Sequence, residues 1–319
     1  IGGCLIRRLL KENKYEIFNL DKISYVSNLD WLKKYNNLNK YHLLNVDLVN
    51  FEATNLAIKN ADPDIIIHLA AESHVDRSIK SPKNFIDSNI TGTFNILEAS
   101  KLHWNKLSDQ RKNKFIFYHV STDEVYGSLS SEGYFSENSP YNPNSPYSAS
   151  KAASDHLVNA WHKTYNLPTI ISNCSNNFGP WQYPEKLIPL TIIKALNWEK
   201  IPVYGDGRNI RDWLFVEDHI DAILLLIKSR KIGKSFCIGG YGEKSNLEVV
   251  NSICKLLDKL KPNKNSYSNL INFVNDRPGH DFRYAIDSSL LTNETGWRPK
   301  HSFEDALINT VNWYIKEFF

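Results

Sequence analysis

The run FIFYHVST, Phe115 to Thr122, decides the fold class of this 319-residue chain, because it is rich in apolar side chains and ends in hydroxyls. Three further runs have a similar character, namely YEIFNLD (15–21), DIIIHLAA (64–71) and PTIISNCS (168–175). Amphipathic stretches of about a dozen residues or more separate them, as expected for strands that alternate with helices. Apolar runs of this kind are typical of strands buried on both faces of a parallel sheet. The pattern predicts an α/β protein built on a doubly wound parallel sheet.

A helix is expected between the second and third of these runs. Pro82 opens it, Gly92 is a small break within it, and a helical period continues to Ser100. Further along, four prolines between residues 180 and 202 and the turn GDGRN (205–209) divide the chain into shorter pieces. The sequence pattern therefore changes to shorter predicted elements after about Asn177.

This change predicts two domains. Residues 1–177 are expected to form the first, and residues 178–319 to form mainly a smaller substrate-binding lobe. A segment near 213–240, which ends in the strand-like KSFCIGG (234–240), is expected to return to the first domain.

Composition argues against several classes of function. The net charge is only +3, from 38 basic and 35 acidic side chains, and no cluster of Lys and Arg marks a nucleic-acid partner. The apolar runs are far shorter than the ~20 residues that a membrane span needs. Four scattered cysteines contain no CxxC pair, so neither a metal site nor a disulfide framework is predicted. Reduced thiols in a cytoplasmic protein fit this pattern.

The front of the chain carries a possible cofactor signal. Gly2 begins a helical pattern, and Asp21 ends YEIFNLD nineteen positions later. In a Rossmann-like dinucleotide-binding unit, an acid about 20 residues after the glycine loop binds the ribose hydroxyls. The spacing alone is equally compatible with an ordinary strand that ends in Asp. The chain contains no Met and starts at helical spacing, so we expect the first strand and most of the glycine loop to be missing, with weaker cofactor binding and lower stability as the result.

The motif YSASK, Tyr147 to Lys151, carries more weight. On a helix, positions i and i+4 share one face, so the phenol and the ammonium point into the same space. A free phenol, with a pKa near ~10, is a poor base at neutral pH, but a nearby ammonium favours the phenolate. Thr122 stands 25 residues upstream, at a strand end where open α/β sheets bind their ligands. A chance pair on a solvated helix face is the alternative, and the three residues together favour a dehydrogenase site.

Seven segments resemble the dTDP-glucose 4,6-dehydratase family of the extended short-chain dehydrogenase/reductase superfamily. The resemblance runs from Ile1 to about the last helix, effectively the whole chain. The segments are HLAAESHVDRSI (68–79), HVSTDEVYG (119–127), SPYSASKAASDH (145–156), NCSNNFGP (173–180), PEKLIPL (184–190), VYGDGRNIRDWLFVEDH (203–219) and DRPGHDFRYAID (276–287). The departure is at the front, where the family's TGGAGF-type loop is absent.

The resemblance implies an NAD-dependent lyase of deoxysugar biosynthesis, of the dTDP-rhamnose type. It would convert dTDP-glucose to dTDP-4-keto-6-deoxyglucose by oxidation at carbon 4, loss of water across carbons 5 and 6, and hydride return to carbon 6. Tyr147 would be the base at the 4-hydroxyl, with Lys151 and Thr122 assisting. Glu124 would take the carbon 5 proton, and protonated Asp123 would give a proton to the departing 6-hydroxyl. Like charges held together disfavour ionisation of one member, which suits this division of roles.

The remaining site residues also come from the resemblance. Those expected at the cofactor, besides Tyr147 and Lys151, are Gly2, Asp21, Lys22, Ser24, Asn28, Asp47, Leu48, Ala70, Ala71 and Asn177. Those expected at the substrate, besides Thr122, are Ser73, Asn176, Lys186, Leu187, Tyr204, Arg211, Asn246, Asp276, Arg277 and His280. A homodimer is implied through helices near Pro82–Trp104 and Tyr147–Tyr165.

Three alternatives stay open from the residues themselves. A UDP-glucose 4,6-dehydratase would keep the Thr-Asp-Glu triplet and differ in base recognition. An epimerase or decarboxylase of the same superfamily would share Tyr147 and Lys151, but would not need Asp123 and Glu124 as an acid/base pair. A non-catalytic nucleotide-binding fragment, from a different class, would need the fold alone.

Overall fold

The computed structural model describes residues 1–24, 26–35 and 38–318, in which helices and strands alternate. The first part of the chain contains α1 (Gly2–Glu12), β1 (Ile17–Asp21), β2 (Tyr41–Asn45), α2 (Phe51–Ala61), β3 (Ile65–His68), α3 (Val75–Lys80), α4 (Pro82–Phe85), α5 (Gly92–Lys106), α6 (Asp109–Lys112), β4 (Ile116–Thr122), α7 (Pro146–Tyr165) and β5 (Thr169–Cys174). The rest contains β6 (Asn176–Phe178), α8 (Leu187–Leu196), β7 (Ile201–Tyr204), β8 (Ile210–Phe215), α9 (Val216–Ser229), β9 (Ser235–Ile238), β10 (Glu243–Ser245), α10 (Asn246–Leu260), β11 (Ile271–Val274), α11 (Ser289–Thr295) and α12 (Phe303–Phe318).

The chain divides into two compact units. Unit 1 consists of Ile1–Val125, Tyr141–Asn173 and Ile223–Phe236, and unit 2 consists of Tyr126–Pro140, Cys174–Ala222 and Cys237–Phe319. The chain thus passes between the units several times. The domain boundary that the sequence predicts after Asn177 remains a prediction.

Unit 1 contains the parallel strands that the sequence predicts. β3, β4, β5 and β9 form a four-stranded sheet in that order, and β1 and β2 form a separate parallel pair. Every residue of β4 and β5 is buried, as expected for strands covered on both faces. Phe115, Phe117 and Ile171 pack with Leu97 of α5 and Val158 of α7 in the core. The predicted Rossmann-like α/β fold class is confirmed.

The helix predicted from Pro82 onward is present, with one irregularity. α4 leads into a π-helical turn at Ile86–Thr91, which continues directly into α5 at Gly92. A β-carbon on Gly92 would lie 3.3 Å from the Leu48 side chain, so glycine allows a close approach here. π-helical turns inside helices often mark functional positions.

Unit 2 is built from shorter elements around its own core. β10, β8 and β6 form a three-stranded sheet in that order, with β10 antiparallel and β6 parallel to β8, and β11 pairs with β7 in parallel. The core contains Phe178, Ile192 of α8, Val250 of α10 and Val311 of α12, all almost completely buried. Within the described ranges, no helix has both the length and the apolar character needed to cross a bilayer.

Candidate active site

The end of β4 places a hydroxyl and two carboxylates next to one another. A single 3₁₀ turn, Asp123–Tyr126, follows the strand directly. The hydroxyl of Thr122 donates to Asp123 Oδ1 at 3.2 Å, and its oxygen accepts from the backbone N–H of Glu124 at 3.3 Å. Thr122 and Asp123 are buried, whereas Glu124 is half-buried. The two acids therefore differ in solvent access although they are adjacent in sequence.

α7 carries both the tyrosine and the lysine, and the lysine contacts β4. Ser145 caps the helix in a reciprocal capping box with Ser148, which sets where the helix begins. Tyr147 and Lys151 are 8% and 4% exposed. The ammonium of Lys151 donates to the carbonyl oxygen of Val120 at 2.9 Å, two residues before Thr122. The i, i+4 spacing on a helix thus brings Lys151 to the end of β4 within unit 1.

Two buried residues near Lys151 were missed by sequence reasoning. His119 and Asp155 are both inaccessible to solvent, and Nε2 of His119 lies 3.1 Å from Asp155 Oδ1 and 3.4 Å from Lys151 Nζ. Burial and the charge of Lys151 lower the pKa of His119 to about 4, so the imidazole is neutral at neutral pH. The sequence does contain a signal, because Tyr147, Lys151 and Asp155 recur at intervals of four on one helix.

Asn89 in the π-helical turn is a third residue that the sequence patterns did not indicate. Its side chain accepts from the backbone N–H of Glu72 at 2.8 Å and donates to the Glu72 carbonyl at 3.0 Å. It also donates to Ser150 Oγ at 2.8 Å, and its own carbonyl accepts from Ser154 Oγ at 2.6 Å. Asn89 therefore connects the loop after β3 to Ser150 and Ser154 of α7. These serines are close in sequence to Tyr147 and Lys151.

The predicted cofactor residues of unit 1 lie at the ends of β1, β2 and β3. Asp21 ends β1, and its Oδ1 accepts from the Ile23 N–H at 2.7 Å and from Ser27 Oγ at 3.1 Å. Lys22 reaches the loop after β3, where its ammonium contacts Glu72 at 3.0 Å and Ser88 at 3.1 Å. This places Lys22 beside the loop, residues 69–74, that contains Ala70, Ala71 and Ser73.

The other predicted cofactor residues of unit 1 are in turns or at a helix start. Ser24 donates its N–H to Ser27 Oγ, and Asn28 Oδ1 accepts from the Asp30 N–H. Asp47 Oδ1 accepts from the Val49 N–H, while buried Leu48 offers its carbonyl to Asn95. Gly2 is the first residue of α1.

Arg211 is the central cation among the predicted substrate residues of unit 2. The guanidinium is buried and donates to the carbonyl oxygens of Ile210, Phe282 and Asp281 at 2.7, 3.3 and 2.9 Å. It also lies over the ring of Tyr284, 4.4 Å from the ring centroid. These contacts fix the plane of the fork, which suits bidentate binding of a phosphate.

Asp276, Arg277 and His280 form a second group in the same unit. Asp276 Oδ1 accepts from the Arg277 N–H at 2.8 Å and lies 2.6 Å from His280 Nδ1. Burial, and then the positive charges of Arg277 and Arg211, lower the pKa of His280. The ring of Tyr204, at the end of β7, stands edge-on to His280 at 6.3 Å. These electrostatic and ring contacts bring the predicted residues of β7, β8 and the loop after β11 into one neighbourhood.

Asn176 and Asn177 occupy β6, and their side chains differ in environment. The Oδ1 atom of Asn176 is buried and has no hydrogen-bond partner among the described residues. The Asn177 amide is held from three sides, since it donates to the Ser175 carbonyl and Cys174 Sγ and lies 2.8 Å from His219 Nδ1. The remaining predicted residues are at helix starts: Lys186 is the N-cap of α8, Leu187 its first residue, and Asn246 the first residue of α10.

The chain is similar to named nucleotide-sugar dehydratases over nearly its whole length. The model of the family described as GDP-mannose 4,6 dehydratase matches residues 1–310. A probable dTDP-glucose 4,6-dehydratase of Sinorhizobium fredii is 51% identical over 316 residues, which is 99% of this chain and 90% of that protein. The dTDP-glucose 4,6-dehydratase of Neisseria meningitidis is 48% identical over 320 residues, with the same coverage. The structure of a dTDP-glucose 4,6-dehydratase from Bacillus anthracis in complex with NAD has a TM-score of 0.86 at 41% identity, and the match covers 99% of this chain and 93% of that one.

Proposed function

The chain belongs to the GDP-mannose 4,6 dehydratase family, and from that membership we propose that it acts as a dTDP-glucose 4,6-dehydratase with the residues described above. It converts dTDP-glucose to dTDP-4-keto-6-deoxyglucose and uses NAD. The observation that carries the residue assignment is the end of β4, where Thr122, Asp123 and Glu124 stand on the strand that Lys151 contacts. A dehydrogenase alone needs no such pair of acids.

The residues of unit 1 fit a dinucleotide. α1 begins at Gly2 without a side-chain cap hydrogen bond and without an acid in its first turn, which leaves its N-terminal dipole suited to a pyrophosphate. Asp21, at the end of β1, offers a carboxylate for the ribose hydroxyls. When bound, NAD supplies a hydride acceptor for carbon 4 and later a hydride donor for carbon 6.

The first proton transfer falls to Tyr147. We assign its phenolate as the base that takes the proton of the sugar 4-hydroxyl, and the ammonium of Lys151 favours that phenolate. Thr122 would donate to the same sugar oxygen by turning its O–H away from Asp123, which accepts it at 3.2 Å, while the Glu124 N–H keeps the hydroxyl oxygen in place. The packing of Tyr147 against Phe85 and Val75 holds the phenol in place.

The elimination falls to the two acids. The 4-keto group acidifies the proton on carbon 5, which Glu124 would abstract, and Asp123 in its protonated form would give a proton to the 6-hydroxyl as water leaves. The partial exposure of Glu124 suits a base that must exchange its proton, and the burial of Asp123 suits an acid kept neutral. Glu124 takes one proton from carbon 5 and Asp123 gives one to the departing hydroxyl, which leaves as water. Glu124 would then return its proton to carbon 5 when carbon 6 is reduced.

Unit 2 would bind the nucleotide part of the substrate. The oriented guanidinium of Arg211 and the side chain of Arg277 suit a diphosphate, and Lys186 stands at the start of α8, a further favourable place for an anion. The buried, unpaired Oδ1 of Asn176 calls for a donor, which a sugar hydroxyl can provide. Tyr204 is 40% exposed at the end of β7 and offers a ring face to the base.

A homodimer is the proposed assembly. The two helical segments expected at the interface carry exposed large apolar side chains, namely Ile86, Phe94, Leu102 and Tyr165. Exposed apolar groups of this kind are typical of protein interfaces, and a dimer of this type would be isologous. Sedimentation at micromolar protein concentration tests this, and a monomer would count against it.

A cytoplasmic location is proposed on the cysteines. All four are free in the structure, and three of them are buried, as expected in a reducing compartment. Fractionation of cells checks this, and recovery of the protein from a membrane or secreted fraction would contradict it.

Turnover of two nucleotide sugars tests the proposed function. We expect the 4-keto-6-deoxy product from dTDP-glucose, and a much lower kcat/KM with UDP-glucose at equal concentration. Preference for UDP-glucose would overturn the choice of nucleotide, and production of a 4-epimer without loss of water would overturn the dehydratase assignment.

A further inference from the structure

A buried group of charged and polar side chains lies beside Lys151 and has no role in the reaction as proposed. Asp155 is one helical turn after Lys151 on α7, and His119 faces it from β4. The carboxylate of Asp155 and the ammonium of Lys151 both contact the same atom, His119 Nε2, at 3.1 and 3.4 Å. An anion, an imidazole and a cation thus meet within the core of unit 1. Buried charges are costly unless they are paired and hydrogen-bonded, so this grouping calls for a reason.

Asp155 is held as an anion by donors from three other segments. Its Oδ2 atom accepts from Ser121 Oγ of β4 at 2.8 Å, from Tyr141 OH at 2.9 Å and from Asn173 Nδ2 of β5 at 3.0 Å. Burial by itself raises the pKa of Asp155, but the hydrogen bond with His119, the charge of Lys151 and the Ser121 hydroxyl outweigh it and bring the pKa below its ordinary value. The carboxylate is therefore ionised at neutral pH.

The ionised carboxylate selects one tautomer of His119. An N–H on Nε2 would turn its positive hydrogen toward Asp155 Oδ1, which lies 3.1 Å away and has no hydrogen-bond partner among the described residues, whereas a lone pair there would face the anion. Nδ1 is buried and has no hydrogen-bond partner among the described residues, so protonation there would bury an unpaired N–H. His119 is accordingly a neutral imidazole with its proton on Nε2. Its contact with Lys151 is then packing and electrostatics, and the Val120 carbonyl is the acceptor for the ammonium.

We propose that His119 and Asp155 are positioning residues for Lys151, and that they keep its ammonium charged and seated on the Val120 carbonyl of β4. The inference rests on the proposed role of Lys151 in favouring the Tyr147 phenolate. The groups near Lys151 include His119 and the Val120 carbonyl from β4, Asp155 from α7 and His68 from β3, and Tyr147 precedes Lys151 by one turn of α7. Asp155 supplies the negative charge that offsets the buried ammonium, and His119 sets the distance between the two charges.

Replacement of Asp155 by asparagine tests the charge. The substitution keeps the size of the side chain but removes one negative charge from the neighbourhood of Lys151, so the ammonium should lose its proton at lower pH. We expect the alkaline limb of the kcat profile with dTDP-glucose to move down by about one pH unit or more. Tyr141→Phe is the matched control, because it removes a donor from the same carboxylate and leaves the charge in place. The Tyr141→Phe substitution should lower the stability of the protein, and the alkaline limb of its kcat profile should stay at the same pH as in the unmodified enzyme.

A second pair of variants covers the case in which Asp155→Asn does not fold. His119→Gln keeps an N–H that can donate to Asp155, whereas His119→Leu offers none. We expect His119→Gln to keep most of kcat and His119→Leu to lose it, with little change in KM for either, since neither side chain is assigned to the substrate.

The tautomer of His119 gives a readout that is independent of turnover. The chain has ten histidines, so a protein labelled with ¹⁵N at histidine gives a tractable imidazole spectrum, and the signals missing in His119→Gln identify His119. We expect a neutral ring with its proton on Nε2 at neutral pH.

Three results would overturn the inference. They are a His119 ring protonated on Nδ1 or doubly protonated at neutral pH, an alkaline limb of Asp155→Asn that coincides with that of Tyr141→Phe, and equal kcat for His119→Gln and His119→Leu. Full turnover by Lys151→Met is a different result, since it would remove the role given to Lys151 in the proposed function while the tautomer of His119 stayed as expected.

Discussion

At the scale of single residues, the end of β4 combines a hydroxyl and two carboxylates in three consecutive positions. Thr122 is hydrogen-bonded to Asp123 and to the backbone of Glu124, so the three groups form one unit. Their different burial gives each acid a separate task. The roles can therefore be separated by substitutions that keep size and remove charge.

Replacement of Glu124 by glutamine should stop elimination and leave oxidation intact. The amide cannot take the carbon 5 proton, so we expect the 6-deoxy product to fall by ~10²–10⁴-fold, the usual contribution of a general base. Exchange of the carbon 5 proton with deuterium from solvent should stop as well. Asp123→Asn is the contrasting variant, because it should still exchange that proton while losing water slowly. Normal exchange in Glu124→Gln would show that another group is the base.

Replacement of Arg211 by lysine should weaken substrate binding more than it slows the chemistry. Lysine cannot reproduce the planar fork that three carbonyls and the Tyr284 ring hold in place. We expect KM for dTDP-glucose to rise about 10-fold or more, or ~1.4 kcal/mol, with a smaller change in kcat. Arg283→Lys is the control, because this buried arginine of unit 2 pairs with Glu243 and is not assigned to the substrate. A similar rise in KM for both variants would point to general loosening of unit 2.

At the scale of secondary-structure elements, α7 is the helix that carries Tyr147, Lys151 and Asp155. Its capping box fixes the register at Ser145, and from there the positions of Tyr147, Lys151 and Asp155 follow at one-turn intervals. In unit 2 the corresponding element is the turn between β7 and β8, because it determines where β8 begins and so where Arg211 lies.

The Gly207→Ala substitution tests that turn. Gly207 has φ 74°, and a β-carbon there would lie 2.8 Å from the Val203 side chain and 2.9 Å from that of Leu247. We expect the free energy of unfolding to fall by about 2–4 kcal/mol, from backbone strain together with overpacking. Gly296→Ala is the matched control, since Gly296 has φ 76° and open space around it. Only the backbone strain of ~1–2 kcal/mol should remain there. Equal losses in urea unfolding would show that the contacts with Val203 and Leu247 do not matter.

At the scale of the whole molecule, buried neutral histidines should make the protein sensitive to acid. Burial lowers the pKa of His219 to about 3, and burial with the charge of Lys151 lowers that of His119 to about 4. The pKa of His68 is also well below its ordinary value, chiefly through burial. In the unfolded chain these groups titrate near ~6.5. Below that pH the unfolded state binds more protons, so stability is lost as pH falls from about 6.5 toward about 4.

The expected slope is up to ~1.4 kcal/mol per pH unit for each histidine. Asp212 acts in the opposite sense, because burial raises its pKa to about 6, and its contribution falls as pH rises from 3.8 to that value. Three histidines outweigh one carboxylate, so unfolding in urea should require less denaturant at about pH 5 than at about pH 7. His219→Asn should flatten this dependence. Unchanged stability between the two pH values would contradict the prediction.

The strands, the helix that begins at Pro82 and the local groupings of chemical groups could be predicted from the amino-acid sequence alone. The spacing of apolar residues and the local composition identify a strand or a helix, because both depend on which faces of that one element are buried. The YxxxK spacing predicts that Tyr147 and Lys151 share a face, and the adjacency of Asp123 and Glu124 needs no folding at all. The family resemblance extended these local patterns to Arg211 and Arg277.

Which distant residues complete these groupings depends on the packing of elements in three dimensions. Asp155 of α7 meets His119 and Ser121 of β4, Tyr141 of a loop and Asn173 of β5. Arg211 is held by carbonyls about seventy residues further along the chain, at Asp281 and Phe282. No local pattern encodes such contacts, because each depends on how two elements that are distant in sequence pack against each other. The burial that this packing creates is also what makes His119 neutral and Asp155 ionised, and no sequence motif carries that information.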